Sequence, residues 1–335
     1  MKKKLPWPIR ILAAGCIAFL LLNLFAWIYR GGLPAVADET RAAPLHYVPN
    51  GYFSNMREGI AFGFFDENGF NNLSPVADRI DYLLLGSSQV EAKQVMQKQT
   101  MVSRLNELLS AAGGGYAYSI GVSGEAFYTC VNRLPYALRT YHPGKAVVLE
   151  TSRLDFTQAE IDEALAEPEV GDLVYSADGG ILGFIRKLPY LRLAFVQLRS
   201  ILTQTDADAA DDMGLSTDVT QDRDAYSRRI GPMLDKVAAD AGDLPVVILY
   251  LPSYTLDRDG TMHLSDVQPV EQFCALCEEK GISFLDMGPR FYAEYERAHV
   301  LPSGFVNSSV GTGHLNRFGH AMTADELFRL LTEVS

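Results

Sequence analysis

The residues of this chain best suited to chemistry are serines that follow an abrupt end to an apolar run. Ile80-Asp81-Tyr82-Leu83-Leu84-Leu85 stops at Gly86, and Ser87, Ser88 and Gln89 follow. A serine hydroxyl is a weak nucleophile until an imidazole takes its proton, and the oxyanion its attack creates needs backbone N–H donors. Both kinds of partner occur further along. Gly121-Val122-Ser123-Gly124-Glu125 offers a glycine-hinged turn, and the stretch GTGHLNRFGH carries His314 and His320. A serine at 88 also suits the N-cap of a helix, and a histidine at 314 also suits a surface loop, so residue type alone leaves both roles open.

The elements around these residues are legible from periodicity. Short apolar runs at 80–85, 115–120, 145–150, 245–251 and 282–286 read as strands. Helix-period segments near 97–112, 125–140, 224–240, 267–280 and 318–333 lie between and after them. Strands alternating with helices predict an α/β fold, a five-stranded parallel sheet with helices on both faces. Its strands then end along one edge, where ligands bind. The serines, the glycine turn and, from the third strand, Glu150-Thr151-Ser152-Arg153-Leu154-Asp155 all fall on that edge. One interval breaks the alternation. Residues 157–222 hold an acidic helix (157–167), a basic-apolar helix (181–203) and an acid-rich stretch, and read as an insertion that is a flap or a surface loop.

Charge is distributed unevenly. The chain carries 29 Lys and Arg against 41 Asp and Glu, with a net charge of −12. Five of the bases lie in residues 1–30, which contain no acid, so the remainder has 24 bases against 41 acids, a net of −17. Such a body lacks the basic stripe of a nucleic-acid binder. Residues 1–10 read as a cytoplasmic basic tail and 11–29 as a single transmembrane anchor, with Trp27 and Tyr29 at interfacial positions. The positive-inside rule places the N-terminus in the cytoplasm and the domain outside the cell membrane. A cleaved signal peptide is the competing reading, since small residues follow at 35–37. Residues 30–79 read as a stalk and irregular lead-in, and 80–335 as the domain. Of the four cysteines, Cys16 falls in the anchor and Cys274 and Cys277 fall within one amphipathic helix, a placement that suits neither a zinc site nor a redox motif.

The blocks, in this order and on these strand ends, resemble the SGNH, or GDSL-type, hydrolase superfamily, over roughly 79–333 without the insertion. The resemblance implies a flavodoxin-like three-layer α/β/α sandwich. Its Gly-Asp-Ser block maps to Gly86-Ser87-Ser88, making Ser88 the nucleophile. Its oxyanion glycine maps to Gly124, and its Asp-x-x-His block places His314 at the catalytic position. Two departures accompany the match. Leu154 stands nearest the family's oxyanion Asn, which leaves the amides of Ser88 and Gly124, with a hydroxyl of Ser152 or Thr151 as a possible supplement. Gly311 stands where the family has Asp, which leaves a Ser–His dyad or a distant acid, with Asp286, Asp155 and Glu150 as candidates. The single anchor is similar to that of membrane-anchored alginate-type O-acetyltransferases and D-alanyl transfer proteins. The expectation is therefore an extracytoplasmic O-acyl esterase or acyltransferase. Its substrate would be a glycan or wall-polymer acyl ester, with a multi-spanning acyl-carrying membrane partner conceivable and no metal or organic cofactor implied. The alternative is an inactive SGNH domain that binds glycans or scaffolds an envelope machine. A nucleotide-binding flavodoxin-like domain fits less well, because the loop after the first strand lacks a glycine-rich phosphate cradle.

Overall fold

The computed structural model describes residues 6–31, 46–166, 188–191, 194, 223–265 and 268–334. Helix α1 (Trp7–Arg30) opens behind Pro6, with a proline in its first turn, where the missing N–H costs nothing. Its Trp7–Tyr29 stretch has a mean hydropathy of 2.4 and is long and apolar enough to cross a membrane. At 1.5 Å per residue the helix measures about 36 Å, sufficient for a hydrocarbon core of about 30 Å.

The body is built on a five-stranded, all-parallel sheet: β3 (Tyr82–Leu85), β4 (Ala117–Ser119), β5 (Ala146–Thr151), β6 (Val246–Tyr250) and β9 (Ser283–Asp286), in the order β4-β3-β5-β6-β9. The period-2 alternation of each strand divides its side chains between two cores. Leu83, Leu85, Val147, Leu149 and Ile248 pack under α4 (Phe127–Tyr141), α5 (Gln158–Leu165), α6 (Arg223–Ala241) and α7 (Val270–Glu279). Tyr82, Leu84, Val148, Val247 and Leu249 pack under α3 (Met101–Ala111), α8 (Gly288–Ala298) and α9 (Arg317–Val334). The result is the expected three-layer sandwich. Strand order reverses beside β3, so the carboxyl ends of β3 and β5 open the crevice in which such sheets place ligands.

Four features depart from the sequence expectation. The lead-in is not wholly irregular, because β1 (Tyr52–Asn55) and β2 (Ala61–Phe64) form an antiparallel hairpin. A second hairpin, β7 (Tyr254–Leu256) with β8 (Met262–Leu264), follows β6. Helix α8 stands unanticipated between β9 and the last helix; its pattern, opened by Gly288-Pro289, is short and carries few apolar residues. His314 lies on a strand, β11 (Val310–Leu315), paired with β10 (Ser303–Gly304), rather than in a loop. Of the insertion, α5 is seen where the acidic helix was expected, while the acid-rich stretch and most of the basic-apolar helix lie outside the described residues.

Candidate active site

Ser88 is the first residue of the short helix α2 (Ser88–Glu91), which follows β3 almost directly. The capping role belongs to its neighbour, since Ser87 Oγ accepts the Gln89 amide at 3.3 Å. The Ser88 hydroxyl is thereby left for another partner. His314 Nε2 lies 2.8 Å from Ser88 Oγ.

Behind the imidazole stands a carboxylate that the sequence reading did not select. Glu58 Oε2 lies 2.7 Å from His314 Nδ1, and Glu58 Oε1 accepts the His314 main-chain N–H at 2.9 Å. A proton on Nδ1 satisfies the first contact and leaves the Nε2 lone pair facing Ser88 Oγ. Burial alone would raise the Glu58 carboxyl, but the side-chain and backbone hydrogen bonds from His314 outweigh it and hold the group below its ordinary value of 4.5. The close approach requires glycine at 313. That residue has φ +85°, and a Cβ there would sit 2.5 Å from Glu58 Oε1. Gly313→Ala should cost about 1–2 kcal/mol in backbone strain alone and should push the carboxylate off the imidazole. The expected result is a modest fall in Tm with a much larger fall in kcat, measured by thermal melt and ester turnover.

Glu58 reaches the site because the turn between β1 and β2 is fastened at several points. Asn55 Nδ2 donates to the Glu58 carbonyl at 2.9 Å. Asn307, in the β10–β11 loop, accepts the Gly59 amide at 2.9 Å and donates to the carbonyls of Met56 and Gly59 at 3.0 and 2.8 Å. Gln89 completes the frame, its Oε1 accepting the Leu315 amide at 2.9 Å, which ties α2 to the strand carrying His314. Helix α9 then starts beyond Asn316, whose Oδ1 caps the amides of Phe318 and Gly319. Histidine 320 on that helix is fully buried, its pKa pushed down to about 3 by burial and then by His314, so it stays neutral.

Beneath the nucleophile loop lies Glu150, buried at the end of β5. Its Oε2 accepts both the amide and the hydroxyl of Ser87, at 2.7 and 2.8 Å. Burial raises its carboxyl above 4.5 despite those two bonds. The folded protein therefore holds a proton that the unfolded chain has already released just above pH 4.5. Stability falls as pH rises through that window. Glu150→Gln removes the dependence while keeping an acceptor for Ser87. The variant should melt above the wild type at alkaline pH, with the gap narrowing as pH falls back toward 4.5.

The sequence expectation for the oxyanion donors rests on the amides of Ser88 and Gly124. The Ser88 N–H opens a helix and has no intrahelical acceptor. The Gly124 turn has φ +91° and faces open space, with no atom within 4 Å of where a Cβ would stand. That turn is braced against α2 by Ser123 Oγ, which donates to the buried Glu91 carboxylate. The third-strand candidates do not join the group. Leu154 is buried in the core, its amide donating to Gln268 Oε1 and its carbonyl accepting from Tyr226 OH. Ser152 is exposed in the bend after β5 and is not bonded to Ser88 or His314.

The expected orienting acids are corrected by the structure. Asp286, the last residue of β9, accepts the Gly288 amide at 2.8 Å. Asp155 pairs with Arg229 at 2.6 Å, and Glu150 serves Ser87. The nitrogen of His314 that an orienting acid would hold, Nδ1, is taken by Glu58. The signal that could have found Glu58 was the pair of apolar runs at 52–55 and 61–64 around a short turn with Gly59, which reads as a hairpin. Its turn contains a single carboxylate.

No protein-family model matches the chain, and no curated protein does. Solved structures that resemble it include TesA, at 14% identity and TM-score 0.39, over 76% of this chain and 99% of that one. Esterase EstA from Pseudoalteromonas sp., inhibited by monoethylphosphonate, matches at 12% identity and TM-score 0.39, over 76% and 97%. An acetyl xylan esterase matches at 13% identity and TM-score 0.41, over 74% and 98%. Likenesses at these TM-scores carry no weight beside the geometry of the site itself.

Proposed function

We propose that the protein is an SGNH-type serine ester hydrolase or O-acyltransferase acting outside the cell membrane on acyl esters of envelope or exported glycans. The observation that carries the reading is the unbroken chain from Ser88 Oγ to His314 Nε2, and from His314 Nδ1 to Glu58. In the forward step Ser88 Oγ adds to the ester carbonyl carbon, and its proton moves to Nε2. Glu58 balances the imidazolium that forms, and the amides of Ser88 and Gly124 hold the oxyanion. Collapse breaks the bond to the leaving alcohol, whose oxygen takes the proton from Nε2. The acyl group then rests on Ser88. Water or a sugar hydroxyl gives its proton to Nε2 and adds to the acyl carbonyl; the bond from that carbon to Ser88 Oγ then breaks as Oγ takes the proton back from Nε2.

The glycan class is supported by the topology read from the sequence, in which α1 is long and apolar enough to span a membrane and follows a basic tail. A multi-spanning partner that delivers acyl groups belongs to the same proposal. The test is incubation of the full chain with an acetylated oligosaccharide and an unacetylated acceptor, followed by mass spectrometry. Free acetate or transferred acetyl, dependent on Ser88, is the expected result. Neither product, from folded protein across acetylated glycans, would defeat the glycan reading.

A further inference from the structure

The β1–β2 hairpin has two unlike faces. Phe53 and Ala61 point into the body, Phe53 packing with Tyr47 and Phe65. On the other face the register pairs Tyr52 with Phe64 and Ser54 with Phe62, so these four side chains lie together. The end of α1 docks on that same face. The Trp27 ring stacks on Tyr52 with centroids 4.3 Å apart, and Tyr52 meets Phe64 edge-on at 5.7 Å. Ser54 Oγ donates to the Trp27 carbonyl at 2.8 Å and accepts the Gly31 amide at 2.6 Å. The Met56 amide donates to the Tyr29 carbonyl at 2.9 Å. Beside this junction Ile60, Phe62 and Phe64 stand 60%, 51% and 60% exposed.

We propose that this face lies in the interfacial layer of the membrane that α1 crosses, with Ile60, Phe62 and Phe64 immersed among the lipids. The inference rests on α1 being a retained membrane span. The occupant follows from continuity, because the apolar face adjoins the end of the helix and is hydrogen-bonded to it. Trp27 and Tyr29 occupy the depth at which aromatic side chains mark an interface. Arg57, exposed in the turn beside Ile60, suits lipid phosphates. The seating has a consequence for substrate. Glu58 lies two residues beyond the amide that is bonded to the helix end, so the Ser88–His314–Glu58 chain is held at the membrane surface. An acyl donor or acceptor that is itself membrane-held then meets the site without leaving the lipid plane.

The test uses the full chain in liposomes of phosphatidylcholine and phosphatidylglycerol. A nitroxide is placed at Phe62→Cys, Phe64→Cys or, as a control, Ser110→Cys at the opposite edge of the sheet, with Cys16 and Cys274 replaced by serine. Immersion to about 5–10 Å should cut collisions of the 62 and 64 labels with a water-soluble nickel chelate by on the order of tenfold relative to 110, and raise their collisions with oxygen. Equal nickel access at all three positions would overturn the seating. So would protection that appears only when other membrane proteins are reconstituted alongside, which would assign the face to a protein partner. Fluorophosphonate labelling of the same samples reads Ser88 separately. Immersed labels without an adduct would uphold the seating and defeat the hydrolase reading.

Discussion

Ser88→Ala should lower ester turnover by about six orders of magnitude, while Ser87→Ala should retain it to within about tenfold. The two hydroxyls are adjacent, yet the fold assigns them different tasks. Ser88 Oγ faces His314 Nε2 at 2.8 Å, so only this hydroxyl has a base to take its proton. Ser87 Oγ is turned the other way, donating to buried Glu150 and accepting the Gln89 amide. Losing the Ser87 hydroxyl costs a helix cap worth about 1 kcal/mol and removes one donor from Glu150. The second variant should therefore melt lower with its chemistry largely preserved. Steady-state kinetics and thermal melts on the same preparations separate the two. If Ser87→Ala were the inactive one, the assignment of the nucleophile would be wrong.

Glu58→Gln should lower kcat by about three to four orders of magnitude with the fold intact. An amide at this position can present its N–H to Nδ1 and reverse the tautomer, which places a proton on the nitrogen that must accept one. It also removes the charge that balances the imidazolium. Asp286→Asn and Asp155→Asn should leave kcat near that of the wild type, since one accepts the Gly288 amide and the other pairs with Arg229. The acid also leaves a mark on stability. Because its folded pKa is lowered from 4.5, Glu58 contributes stability that is present above that value and lost as pH falls through the folded pKa. The Tm difference between the wild type and Glu58→Gln should accordingly shrink in strong acid.

What was legible in the sequence was whatever repeats locally. The five core strands announce themselves because each is a short apolar run whose alternation serves two cores, and Ser88 and His314 follow once the strand ends share an edge. The orienting acid was hidden for a physical reason. It does not come from the strand-and-helix repeat at all. It comes from a hairpin turn 256 residues away in sequence from His314, held in place by Asn307 and by the end of α1. Asp286 and Asp155 sit at the right edge of the sheet, but each is already engaged by its nearest partner. Gly311, where a local acid was missing, adopts φ +83° beside Leu256 and carries no side chain toward the imidazole. The third member of the relay comes instead from the hairpin that is hydrogen-bonded to the end of α1.

The most direct measurement is intact-mass analysis of the full chain, in detergent micelles, after treatment with a fluorophosphonate. Helix α1 is kept because its end is bonded to the hairpin that carries Glu58. A single adduct mapped to Ser88 in wild type and Ser87→Ala, absent in Ser88→Ala and His314→Ala and strongly slowed in Glu58→Gln, is the expected result. No adduct on folded wild type, or an adduct that survives Ser88→Ala, would contradict the account.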